Sequence, residues 1–229
     1  MAEKEANKNS ILCDASSLIT LTDAGLLGAF IMSRQKMRNG LYITPTVEDE
    51  AINHPMKNKE YAFSAVRLKR ALMSNVFKVI TGNQETTDYI LETANSIFSI
   101  HGKPLRLVHA GEAEMLSAAI DNGIPNILMD ERTTRTLLEA PNELKAHLTA
   151  EFRTSVSINT AALAEFKSLT GATNVIRSSE VLAIAYEKRY FKKFKELEKK
   201  AFESALYAIK FKGCAISFEE INEMLREER

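Results

Sequence analysis

The chain has 229 residues, 45% of them hydrophobic, enough for a sizeable core and better suited to one α/β unit with an appendage than to two equal domains. Its 30 basic residues balance 30 acidic ones to a formal net charge of zero, which excludes a broadly basic surface and makes any electrostatic footprint local. The two cysteines, Cys13 and Cys214, lack the paired spacing of a zinc ribbon or disulfide framework, and no run of about 18 apolar residues could span a bilayer.

Residues 1–10 are polar and charged, without the apolar stretch of a secretory signal, so a cytoplasmic protein with no membrane partner is expected. Ile11-Leu12-Cys13 then reads as a buried strand closed by Asp14. Ser16 and Ser17 read as caps for one or two helices from Leu18 to Phe30. Leu41-Tyr42-Ile43-Thr44 is a second strand, and Pro45 suits the first turn of a helix that runs to about His54 and stops before Pro55.

The pattern continues with a helix over 61–74, a strand over 76–80 and a helix over 86–100. A helix opening at Gly111 ends at Asn122-Gly123, followed by a buried strand over 124–129 and a helix over 132–138. Strands alternating with helices predict a three-layer α/β domain over 10–159, with a central parallel sheet flanked by helices. Residues 160–229 read as a C-terminal helical extension. Within it, 179–211 has the pattern of one long amphipathic helix, with Phe191, Phe194, Ala201, Ala205 and Ile209 packing on the domain or on a second subunit. The same stretch interleaves Lys188, Arg189, Lys192 and Lys193 with Tyr190 and Phe194, a mixture that can also grip single-stranded RNA. Ser217 and Glu220 form a capping box for a last helix over 218–226.

Ligands of parallel sheets gather at the carboxyl ends of strands. Asp14 directly follows the first strand, and Asp130 with Glu131 follows a later one. Glu48, Asp49 and Glu50, and likewise Glu112 and Glu114, sit in the first turns of helices that can point to the same edge. Such oxygen-only donors suit magnesium or manganese, which polarise phosphate and acidify an attacking water. Residues two apart on a helix point about 200° apart, and Val47 with Ala51 marks the buried side, so Glu50 is favoured over Glu48. The apolar face Met115, Leu116, Ala119 and Ile120 points toward Glu112, yet a first helical turn leaves Glu112 and Glu114 both open. Asp130 and Glu131 stay open in the same way. The competing reading is that acids in first turns serve the helix dipole alone. Ser16, Arg132 and Arg135 are candidate nucleic-acid contacts, the two arginines through phosphate. The four histidines show no metal-binding spacing, and no Walker motif occurs.

Four stretches together resemble the PIN-domain family: Ile11-Leu12-Cys13-Asp14-Ala15-Ser16-Ser17-Leu18-Ile19, Ile43-Thr44-Pro45-Thr46-Val47-Glu48-Asp49-Glu50, Gly111-Glu112-Ala113-Glu114, and Ile127-Leu128-Met129-Asp130-Glu131-Arg132. Their order and separation, over roughly 10–140, are similar to the family's, and the Gly-Glu-Ala-Glu run looks like the flap-endonuclease version. The resemblance implies a magnesium- or manganese-dependent endoribonuclease, either a toxin of a toxin–antitoxin pair or an RNA-processing enzyme. It implies metal-site roles for Asp14, Glu50, Glu114 and the Asp130/Glu131 pair, with Glu112 assisting, and it favours Glu114 over the periodicity's Glu112. It also implies RNA, a homodimer and an antitoxin protein as partners. The preference for RNA over DNA comes from the resemblance alone. The fourth stretch departs from the family in carrying Asp-Glu and in placing Met129 where many members have Thr or Ser. An inactive PIN-fold module that binds nucleic acid or protein is the alternative.

Overall fold

The computed structural model describes residues 9–35 and 40–227. In chain order, β1 (Ile11–Cys13) leads into α1 (Ala15–Asp23) and α2 (Leu27–Gln35), and β2 (Leu41–Ile43) into α3 (Pro45–Glu48). α4 (Ala62–Met73), β3 (Phe77–Val79) and α5 (Gln84–Asn95) follow, then the short strands β4 (Phe98–Ile100) and β5 (Lys103–Pro104). Next come α6 (Ala110–Asp121), β6 (Asn126–Leu128), α7 (Arg132–Glu139), α8 (Pro141–Phe152), β7 (Ser157–Ile158) and α9 (Thr160–Thr170). The chain closes with β8 (Asn174–Ile176), α10 (Ser178–Glu187), α11 (Glu198–Phe211) and α12 (Phe218–Glu227).

A five-stranded sheet, wholly parallel, runs β3-β2-β1-β6-β8. Strand residues alternate between two cores, as a period of two requires. Ile11, Cys13, Leu41, Ile43, Phe77 and Leu128 face one side, packed by α1, α2, α4, α10 and α11. Leu12, Ile127 and Met129 face the other, packed by α5, α6, α8 and α9. This is the expected three-layer α/β arrangement of helix, parallel sheet and helix. No single helix among the described residues is long and apolar enough to cross a membrane.

Five expectations change. The boundary expected at 159/160 cuts through the fold, because β8 is an edge strand of the main sheet and α9 packs into its core. Residues 174–176 were expected within the helical extension; Val175 and Ile176 are β-branched, and the segment pairs with β6 as a strand. The helix expected to reach Ile100 stops at Asn95, and Phe98–Ile100 instead joins β5 and β7 in a small antiparallel sheet. The single long helix expected over 179–211 is broken, with left-handed backbone at Arg189 (φ 64°) and Lys195 (φ 52°) on either side of a 3-10 segment. Breaking the helix lets Phe191 turn inward against Tyr186 and Phe202 while Phe194 stays half exposed. Of the aromatics interleaved with the basic residues, Tyr190 is partly buried, with Lys193 Nζ over its ring at 3.7 Å. Finally, α1 is capped by Asp14, whose carboxylate accepts from the Ser16 amide, not by Ser16 or Ser17.

Candidate carboxylate site

Strand order decides where a ligand can sit. From β1 the chain builds outward through β2 to β3, then crosses to the other side of β1 to lay down β6 and β8. Connections leave in opposite directions between β1 and β6, and the crevice above their carboxyl ends is where such sheets bind ligands. Asp14 follows β1 there, its amide donating to the Leu128 carbonyl at 2.9 Å, and Asp130 and Glu131 follow β6 one residue on.

The helix acids arrive from two further segments. Thr44 caps α3 by accepting from the Val47 amide, and Pro45 occupies the first turn. The helix then loosens into a π-helical turn over Asp49–Asn53, a change of phase that regular periodicity does not anticipate and that often marks functional sites. Glu48 is drawn aside to Lys69 at 3.0 Å. Glu50 instead lies within electrostatic reach of Asp14, Glu112 and Glu114. The start of α6 comes close to this segment because residue 111 is glycine: a Cβ there would stand 3.3 Å from Thr46 Cγ2 and 3.7 Å from Glu50 Oε1. The Thr44 hydroxyl donates to Glu114 Oε2 at 3.2 Å, joining α6 to the end of β2. Sequence reasoning did not single out Thr44, although a threonine before proline at a strand end is a cap signal.

The chain matches no protein-family model, no curated protein and no solved structure. The chemistry of the site therefore rests on its own geometry.

That geometry crowds negative charge. Burial, opposed by the Ser16 and Ala15 hydrogen bonds and reinforced by Asp130, pushes the Asp14 carboxyl above its usual range. Burial comes first for Glu50 as well, followed by the charges of Asp14, Glu112 and Glu114. Glu112 is raised by burial and by Glu131 and Asp14, against the lowering effect of the His109 amide, which donates to it at 2.6 Å. Acids from all four segments feel one another. Several also have local work to do. Glu131 caps α7 by accepting from the Thr133 and Thr134 amides at 2.7 and 2.6 Å, and Glu112 completes the capping box of α6. As placed, no three His, Cys, Asp or Glu side chains among the described residues could hold a metal ion together.

Asp130 stands apart. It is 1% exposed, and it accepts from the Ser178 amide at 2.8 Å, the Ser178 hydroxyl at 2.6 Å and the Cys214 thiol at 3.2 Å. Both partners come from beyond residue 160, so no local pattern could have exposed this role. Of the predicted nucleic-acid contacts, Ser16 donates its hydroxyl to Asp14, Arg135 pairs with Glu139 at 3.1 Å, and Arg132 is exposed.

These shifts carry a consequence for stability. A carboxyl whose folded pKa is raised binds its proton more readily folded than unfolded, so its ionised form costs stability above the raised pKa, and the cost fades as pH falls through that value. In EDTA, Glu50→Gln protein should melt above wild type near neutral pH, with the gap closing under mild acid. Equal melting temperatures of the two proteins across that range would show that Glu50 feels no such crowding.

Proposed function

We propose that this protein is a divalent-metal-dependent endoribonuclease of the PIN type, toxin-like or RNA-processing. The observation that carries the reading is the convergence of Asp14, Glu50, Glu112 and Glu114 from separate segments at the sheet's switch point, each of the first three held above its ordinary pKa in part by neighbouring carboxylates. Repulsion of this kind is relieved by a cation, and an all-carboxylate donor set suits magnesium or manganese.

Asp14, Glu50 and Glu114 would supply the donors, with Glu112 assisting, once side chains turn inward, because as placed no three acids among the described residues cage an ion. Glu131, which caps α7 through both oxygens, and Asp130, engaged by Ser178 and Cys214, support the wall behind them. When bound, the metal supplies positive charge for the phosphate oxygens and lowers the pKa of an attacking water. The residues divide the remaining work. Asp14 is fixed by its capping bonds and gives the site a rigid point, whereas Glu50, partly exposed on the π-helical turn, has room to rotate toward an ion.

Incubation of end-labelled single-stranded RNA with magnesium or manganese, against an EDTA control, tests the reading. Cleavage should require the ion. RNA left intact with both metals at high enzyme concentration would end it.

A second reading, a PIN-fold nucleic-acid-binding or protein-interaction module without catalysis, has its own support. Asp14, Glu112 and Glu131 all serve as helix caps, and the acids do not form a ready-made ion cage. Under that reading the same experiment yields RNA binding, or neither binding nor cleavage.

A further inference from the structure

A cleft of about 660 Å³ is lined by residues of α7 and α8 and of the α11–α12 connection. Arg132, Arg135, His147 and Lys210 line it together with Phe211. Cys214 also lines the cleft and donates its thiol to Asp130, so the cleft and the carboxylate site share a wall. Arg132, which opens α7 directly after Glu131, has no ion pair among the described residues.

Phe211 is 74% exposed, so its ring is open to a ligand in the cleft. It is held in place by Tyr207, stacked at 6.5 Å, and by Phe218, edge-on at 6.5 Å. Lys210 is pinned as well, over the Phe218 ring at 4.3 Å and on the Ile216 carbonyl. A held aromatic ring and an unpaired guanidinium lining one cleft are groups that can take a nucleobase by stacking and a phosphate by charge.

The acids of the cleft narrow the ligand. Glu139 is paired with Arg135 and Glu220 with Arg177 at 2.6 Å, while Glu143 adds a negative charge to the lining that holds Lys210. A duplex, with its dense double row of phosphates, is poorly matched to so balanced a lining; a short single strand offering one exposed base and few phosphates fits it.

We infer that this cleft holds a single-stranded stretch of nucleic acid, with a base on Phe211 and a phosphate on Arg132, beside the carboxylate site. The inference takes its ligand class from the nuclease reading but not its test. Binding is measured in EDTA, where no metal-dependent cleavage can occur, by fluorescence anisotropy of a labelled oligouridylate of about ten nucleotides. An oligothymidylate of equal length runs beside it, and the tighter binder identifies the strand as RNA or DNA.

Phe211→Ala and Arg132→Ala should each weaken binding of the tighter probe roughly tenfold. Phe63→Ala, at an equally exposed ring on α4, should leave binding unchanged. Affinity should fall with salt at the shallow slope of one or two phosphate contacts. Wild-type affinity in both cleft variants, or no binding of either probe, overturns the inference. If cleavage depends on Asp14 but Phe211 and Arg132 are indifferent, the cleft assignment fails alone. If nothing is cleaved yet both variants lose binding, the nuclease reading fails and the cleft stands.

Discussion

Replacing Asp14 by asparagine should leave a well-folded protein whose metal-dependent cleavage of RNA has dropped on the order of a hundredfold or more. The substitution separates two jobs that one carboxylate performs. Asp14 caps α1 through the Ser16 amide, and asparagine caps helices about as well as aspartate. What asparagine lacks is the charge. Burial and Asp130 already disfavour that charge in the metal-free protein, so removing it should leave the melting temperature in EDTA at or above that of wild type. The added stability that wild type gains from saturating manganese, about 2.7 kcal/mol at a hundredfold excess over the dissociation constant, should shrink in the variant. Asp14→Ala is the informative contrast, because it also loses the cap and should cost about 1 kcal/mol. Cleavage by Asp14→Asn protein at the wild-type rate would remove Asp14 from the chemistry, however well the helix is capped.

Asp130 should fail in the opposite way. Truncation to alanine strands the Ser178 amide, the Ser178 hydroxyl and the Cys214 thiol in a space with almost no solvent access. Each buried donor left unsatisfied costs about 1–3 kcal/mol, and because the thiol is a weak donor and the hydroxyl can turn, the low end of the sum, about 3–5 kcal/mol, is expected. In a chain of this size that lowers the melting temperature by roughly 10 °C. Asp130→Asn keeps an acceptor for the Ser178 amide and a donor for its hydroxyl, and should lose less than half as much. The reason for so large an effect is topological: these bonds tie the start of α10 and the α11–α12 connection to the end of β6, and so hold the C-terminal helices onto the sheet. Burial also raises the Cys214 thiol far above its ordinary value, with Asp130 adding to the shift, so that the sulfur keeps its proton and remains a donor. Thermal unfolding of Asp130→Ala at the wild-type temperature would show that the three bonds contribute nothing.

The two acids illustrate how far sequence reaches. Both follow short apolar strands, and nothing local separates their roles. An apolar run of three residues, a following acid and then a helix describe β1-Asp14-α1 and β6-Asp130-Glu131-α7 equally. The strands β1, β2, β3 and β6 and most helices over the first 140 residues were legible because apolar periodicity and prolines are local signals, whereas β4 and β5 belong to a small sheet that the distant β7 completes. The choice of Glu50 over Glu48 was drawn from regular helical periodicity, which the π-helical turn replaces.

By itself, the sequence determined a parallel sheet clad in helices and a set of acids placed where strands give way to helices, because burial patterns and capping chemistry are written within a few residues of one another. Only the tertiary structure decided that β8 completes the sheet, that the chain reverses between β1 and β6, and that Asp130 turns toward Ser178 and Cys214. Those outcomes depend on hydrogen bonds between residues dozens of positions apart. A short strand that could equally be a helix, or a carboxylate that could equally face water, takes its state from the partner that the fold delivers.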